Sequence, residues 1–418
     1  MNEILSFWAQ WLRPSAGLPT VQWSLLLAVA AMTGYLLQRH IGLPKVVGYS
    51  LVGAMAGLAG FSGAVWPLQG IGLFMLELGI SIVLFECGGR IPLRWFRHNP
   101  MVLVQSVAES ALTYFAVYWV LLWLDTPARV AGPLALVALA ASPAVLTRVV
   151  ADTRAAGPVT ERAIVLASLS TLYALTLGSA RAELMNRSTI TFMDTVYPVM
   201  VVLGVSIIVA AVLALVLRMA LRFMSPTSES TSMLLLALIA AATAVAAHMG
   251  GSAPLAALLG GMLLKQLNPR PWAWPRQLGN ASSLLTMLMF VLVSTVAAQA
   301  DWSGPVAGVV LALIVVRLVA KALGVAVGNV GSGSSWLQAL WVGCAMTPMS
   351  AIALLIASQF VLASPSTGHL IARVALPAIL LMEVLGAVIA TVAIYRAGES
   401  SKPWAPLARG NQGDSRES

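Results

Sequence analysis

Nine residues of this chain have the types and spacings that chemistry with ions in an apolar setting would need. Arg317 and Lys321 lie four residues apart in "VVLALIVVRLVAKALG", so they share one helix face. Glu109 sits inside the apolar run 100–123. Charges in such surroundings are costly and are functional candidates by default. A plain structural ion pair, Glu109 with Arg317 or Lys321, is the competing reading. Ser142-Pro143 interrupts "ALAASPAVLTRVV" (138–150), and Thr347-Pro348 interrupts "CAMTPMSAIALLI" (344–356). Proline removes a backbone donor and clashes with the preceding turn. Each interruption therefore leaves helix ends, whose partial charges and freed carbonyls can hold an ion. A kink without a site is the alternative. Ser170 and Thr171, in "LASLSTLYALTLG" (166–178), offer hydroxyls. A hydroxyl binds a cation weakly and does not titrate near neutral pH.

Other chemistries lack their parts. The sequence has no phosphate-cradling glycine loop, no metal cluster and no Ser/His/Asp arrangement in a soluble segment. An enzyme is not expected, and neither is a cofactor. Cys87 and Cys344 are the only cysteines, and both fall in apolar runs, so no disulfide or metal site is expected.

The elements that must position these residues follow from composition. Of 418 residues, 59% are hydrophobic and only 9% are charged, with mean hydropathy +0.89. A soluble domain carries about 25% charged residues. The chain reads as an all-α polytopic membrane protein in the lipid bilayer, with about 13 transmembrane helices. The spans are predicted near 21–38, 43–61, 70–87, 100–123, 132–150, 158–179, 194–221, 232–248, 253–267, 280–299, 304–328, 335–361 and 368–396. Residues 1–20, with Trp8, Trp11 and Leu12 at helical spacing, are expected to lie on the membrane surface; they lack the marks of a signal peptide. Residues 397–418 are expected to form a short disordered cytoplasmic tail, with no soluble regulatory domain after the spans.

Alternate loops then share a side. Seventeen basic residues, from Arg39 to Arg416, fall on one side; Arg13, Arg129, Arg181 and Arg187 fall on the other, with Arg373 near an edge. The rich side should be cytoplasmic, which puts the N-terminus outside and the C-terminus inside. The net charge of +9 thus reflects topology, and its spread over short loops gives no sign of nucleic-acid binding.

The two interruptions are 205 residues apart. The same shift carries the third span onto the tenth, the first near the eighth and the sixth near the thirteenth. Seven spans is an odd offset, so the halves would be inverted repeats. In that plan of secondary transporters, a site is built where two broken helices cross near the midplane.

Several stretches resemble the monovalent cation:proton antiporter superfamily of sodium/proton exchangers and potassium/proton efflux antiporters. "GLPKVVGYSLVGAMAG" (42–57) is similar to its second helix. "MLELGISIVLFECGGRIPLRWFR" (75–97) is similar to its L-x-E-L-G and L-F-E-G-G segments. "PLAALLGGMLL" (254–264) and "VRLVAKALG" (316–324) fit as well. The resemblance implies a dimer-forming scaffold of about 21–98 and 194–300, a moving core of about 100–179 and 304–396, and hence a homodimer. It implies exchange of sodium or potassium against protons in a bacterial inner membrane. Where the family usually has Thr-Asp-Pro, this chain has Ala141-Ser142-Pro143. Where its next helix keeps an aspartate, this chain has Ser170, Thr171 or Leu172, with no acid between Glu161 and Glu183. The second broken helix reads Met349-Ser350-Ala351 in place of Arg-Gly. A carboxylate couples two fluxes by taking either a proton or a cation at one place. Without it, little cation-driven proton movement is expected unless another acid serves. Glu109 is the acid most suited to that role. The resemblance also implies that a basic residue of 316–324 pairs with the missing acid, and Glu77, Glu86, Glu109 and Glu383 are the possible substitutes for that partner, with Glu77 expected to be structural. The alternatives are an altered substrate (an anion or an uncoupled solute) or a non-transporting sensor or partner protein.

Overall fold

Long runs of leucine, alanine and valine can hide their backbone polar groups from lipid only by bonding them within helices. The computed structural model describes residues 18–401 apart from 62–65, 69, 92, 94–95, 97–98, 186–191, 226–227, 269–275 and 301. The surface segment expected at 1–20 lies outside the described residues except for its last three. So does the tail from 402 onward.

The described chain is helical, with one isolated β-bridge, Ala155 to Ser400. The helices are α1 (Leu18–His40), α2 (Lys45–Leu58), α3 (Gly70–Gly89), α4 (Met101–Trp123), α5 (Ala128–Leu139), α6 (Pro143–Thr153), α7 (Pro158–Leu184) and α8 (Phe192–Phe223). They continue with α9 (Glu229–His248), α10 (Ala253–Leu267), α11 (Arg276–Ala298), α12 (Gly304–Val327), α13 (Trp336–Ala345), α14 (Ala351–Ala363) and α15 (Pro365–Arg396). Among the described residues, nine segments, with α5 and α6 counted together, are long and apolar enough to cross a membrane; the other apolar helices there are shorter. Helix edges extend past the expected spans where the helix continues into polar residues, as α7 does through Arg181 and Glu183.

Both interruptions fall where the prolines put them. α5 stops at Leu139, and Ala140 is extended at φ −56°, ψ 126°. Pro143 then opens α6 at a position where no donor is needed. Ser142 is the N-cap and accepts from Val145 N at 3.4 Å. α13 begins with a capping box between Ser335 and Gln338, and residues 346–350 separate it from α14.

A shift of 205 residues lays α1–α7 over α9–α15 and leaves α8 between the halves. The packing carries the same exchange: α3 lies along α10, and α2 along α11. Small residues permit both contacts. A β-carbon at Gly53 or Gly57 would collide with the carbonyl of Val291 or Thr295, and one at Gly88 or Gly261 with that of Leu258 or Phe85. α4 lies along α12 in a second set of helices that includes α5, α7 and α13–α15. Gly324 and Gly328 allow this: a β-carbon on either would come within 2.5 Å of the α-carbon of Glu109 or Gln105. The two sets meet where α15 packs on α2 and α11, and where α6 packs on α3.

One element departs from expectation. Residues just past Arg396 are ordered, because the Glu399 carboxylate caps the start of α7. It accepts from Val159 N and Thr160 N at 2.7 Å and from Thr160 Oγ1 at 2.6 Å. Ser400 Oγ donates to Thr153 O at 3.1 Å. A carboxylate at the positive end of a helix is favourable, and this anchors the chain where polarity alone suggested disorder.

Candidate functional site

An interrupted helix in an apolar interior leaves carbonyls that something must satisfy. Here α12 supplies the donors. Arg317 and Lys321, both fully buried, share the face of α12 turned to the breaks. The Arg317 guanidinium spans both interruptions. Its Nε donates to Ala138 O at 2.7 Å and its second terminal nitrogen to Ala140 O at 2.8 Å and, more weakly, to Pro348 O at 3.4 Å. Its first terminal nitrogen donates to Thr347 O at 2.5 Å. Only a planar fork reaches so many acceptors at once.

The remaining carbonyls of the first break are taken as well. Ser170 Oγ donates to Leu139 O at 2.8 Å, and Thr171 Oγ1 to Ala141 O at 3.2 Å. Lys321 Nζ reaches Leu139 O at 3.2 Å and Ser170 Oγ at 3.4 Å. Four consecutive carbonyls, 138 to 141, therefore have side-chain donors. At the second break, Thr347 Oγ1 donates to Cys344 O at 2.8 Å.

Lys321 is also paired. Its Nζ lies 2.5 Å from Glu109 Oε1, with both side chains wholly buried. Ser110 and Thr113 each donate to the same carboxylate at 3.2 Å. A cavity of about 470 Å³ reaches this corner; Ser110, Tyr114, Leu139, Tyr173 and Arg181 are among its walls.

The structure thus brings together all nine residues singled out by type and spacing. Arg317 binds the backbone of Thr347 and Pro348, Ser142 caps α6 beside Pro143, Ser170 and Glu109 contact Lys321, and Thr171 bonds the Ala141 carbonyl of the first break. Glu86 pairs locally with Arg90 at 2.7 Å. Arg148 donates to Ser283 Oγ at 2.9 Å across the boundary between the helix sets.

A second buried carboxylate, Glu383, lies near the middle of α15, and among the described residues it forms no ion pair with Arg317 or Lys321. It accepts from Ser294 Oγ on α11 at 3.0 Å and from Ser350 Oγ at 3.1 Å. Ser350 occupies the N-cap position of α14, yet its hydroxyl caps no backbone amide. The serines carried no signal in the sequence, since a serine in an apolar run looks the same with or without a buried partner.

Comparison with known proteins gives a consistent picture. The profile of the sodium/hydrogen exchanger transmembrane region matches residues 27–396. No curated protein matches the sequence. Two structures of the sodium proton antiporter MjNhaP1 from Methanocaldococcus jannaschii are similar, each at 15% identity. The one at pH 8 has a TM-score of 0.69 and covers 90% of this chain and 98% of its own; an electron-microscopy map has 0.71, with 93% and 100% covered.

Proposed function

The chain belongs to the sodium/hydrogen exchanger family, and from that premise we propose that it exchanges a monovalent cation, sodium or potassium, for protons. The observation that supports this reading is the meeting of two interrupted helices at one buried guanidinium, inside the fold of a sodium proton antiporter. In this reading α4–α7 and α12–α15 form the moving core, and α1–α3 with α8–α11 form the scaffold and the contact of a homodimer. Thirteen segments cross a bacterial inner membrane, each interrupted pair counted once, with the N-terminus outside. The basic residues on the described cytoplasmic-side ends, such as Arg39, Arg90, Arg154 and Arg222, favour that orientation.

Arg317 and Lys321 act here as fixed cations that hold the broken ends in register. Their donors are directed at carbonyls and at Glu109, which weighs against a role in gripping an anionic solute. Ser142, Pro143, Thr347 and Pro348 shape the crossing, while Ser170 and Thr171 complete it.

One observation favours a second reading, a carrier with altered substrate or a non-transporting partner. The hydroxyls of Ser170 and Thr171 stand where the resemblance places an acid, and both are bonded to the backbone. Purified protein in proteoliposomes separates the readings. With a dye reporting internal pH, sodium or potassium pulses should move protons, and choline should not. A flat response to every monovalent cation would sink the antiporter reading and leave the second.

A further inference from the structure

Glu383 has an environment unlike that of any other described acid. Its side chain is wholly buried, and among the described residues no lysine, arginine or histidine forms an ion pair with it. Glu109, by contrast, is neutralised by Lys321. An isolated carboxylate in an apolar interior is too costly to persist as a bare charge. It must hold either a proton or a cation.

The groups around Glu383 suit both. Ser294 and Ser350 lie at 3.0 and 3.1 Å. The Ser50 hydroxyl on α2 is fully buried, lies close enough to the same carboxylate to interact with it, and bonds to no other group. A hydroxyl is both donor and acceptor. Ser50 can accept the proton of a neutral carboxyl group while Ser294 and Ser350 continue to donate. With a cation present, all three can rotate to offer lone pairs beside the carboxylate oxygens. Such an all-oxygen set suits hard cations. With one negative charge in the set, a monovalent ion leaves the site neutral and a divalent ion does not.

We propose that Glu383, with Ser50, Ser294 and Ser350, is the site at which a proton and a monovalent cation compete. The exchange balances as the neutral carboxyl group plus the cation giving the carboxylate–cation pair plus a released proton. This rests on the antiporter reading and changes where its chemistry lies. The carboxylate missing beside Ser170 is replaced by one on the second repeat. Its ligands also come from both helix sets: Ser50 and Ser294 from α2 and α11, Ser350 and Glu383 from the set of the crossing. Sliding one set along the other would assemble or dismantle the site, which links ion release to the motion.

Two measurements on the full-length protein test this. The first is labelling with dicyclohexylcarbodiimide, which attacks protonated carboxyl groups in apolar surroundings, read by peptide mass spectrometry. Glu383 should be labelled, increasing sodium or potassium chloride should suppress the labelling, choline chloride should not, and Glu109 should stay unlabelled. Absence of label at Glu383, or labelling indifferent to every monovalent cation, overturns the proposal even if no flux is seen. The second is flux in proteoliposomes. Glu383→Gln should abolish cation-driven proton movement. Ser294→Ala and Ser350→Ala should each raise the half-maximal cation concentration roughly 3- to 10-fold, as loss of one oxygen ligand implies. Wild-type exchange that persists in Glu383→Gln overturns the site and leaves the antiporter reading intact. If Glu383→Gln does not fold, the labelling of wild type decides.

Discussion

Removing Glu109 tests whether the buried pair with Lys321 is what keeps α4 and α12 together. Two unit charges 2.5 Å apart attract by roughly 6–7 kcal/mol at an effective dielectric of about 20. Glu109→Gln does not lose all of this, because the amide oxygen can still accept from Lys321. A ceiling also applies. Lys321 can shed its proton, which from the ordinary lysine value near 10.4 costs about 5 kcal/mol at pH 7. The expected destabilisation is therefore about 3–5 kcal/mol, the range for breaking a buried pair from one side. Lys321→Met should cost about as much, since it leaves Glu109 bare and removes a donor from Leu139 O. The double variant leaves no bare charge at this corner, while Arg317 stays on its own carbonyls. It should fall at least about 2 kcal/mol short of the sum of the singles. Unfolding by sodium dodecyl sulfate in mixed micelles, followed by tryptophan fluorescence, gives all four values. Additivity within about 0.5 kcal/mol would refute the reasoning.

Three further outcomes follow from the same geometry. Arg317→Lys keeps the charge but loses the fork, so at least two carbonyls of the crossing lose their donor and stability should fall by about 2–5 kcal/mol in the same titration; a fall below about 1 kcal/mol would contradict the bridging role. Glu399→Ala should cost about 1–2 kcal/mol and speed hydrogen exchange at the Val159 and Thr160 amides, whereas unchanged exchange there would show that the cap is idle. Gly324→Ala should push α12 off α4 and lower the melting temperature, while Gly308→Ala on the same helix, where nothing lies within 4 Å of the new β-carbon, should be neutral or slightly stabilising; equal effects at the two sites would count against the close contact.

The breaks at Ser142-Pro143 and Thr347-Pro348 were legible because proline acts locally and its consequence does not depend on distant residues. The four-residue spacing of Arg317 and Lys321 was legible for the same reason, since one helix face follows from the helical period. What those cations touch was not legible. Ala138 and Thr347 contribute carbonyl oxygens, which every residue has, so no side-chain type marks them. The oxygen cluster at Glu383 joins residues 33 and 89 positions apart, and no periodicity links them. Glu399 looked like part of a polar tail because composition measures solubility and says nothing of a free helix end nearby.

The Arg317 bridge also has a consequence for biosynthesis. The residue that completes the first break lies 177 positions after Ala140 in the chain. At 5–20 residues per second, the ribosome needs roughly 10–35 s to make that intervening stretch. Through that interval the N-terminal half sits in the bilayer with unsatisfied carbonyls at Ala138 and Ala140, so it cannot mature alone. A nascent chain halted before α12 should stay open to proteases and quality control at this point, and one extended past Arg317 should close.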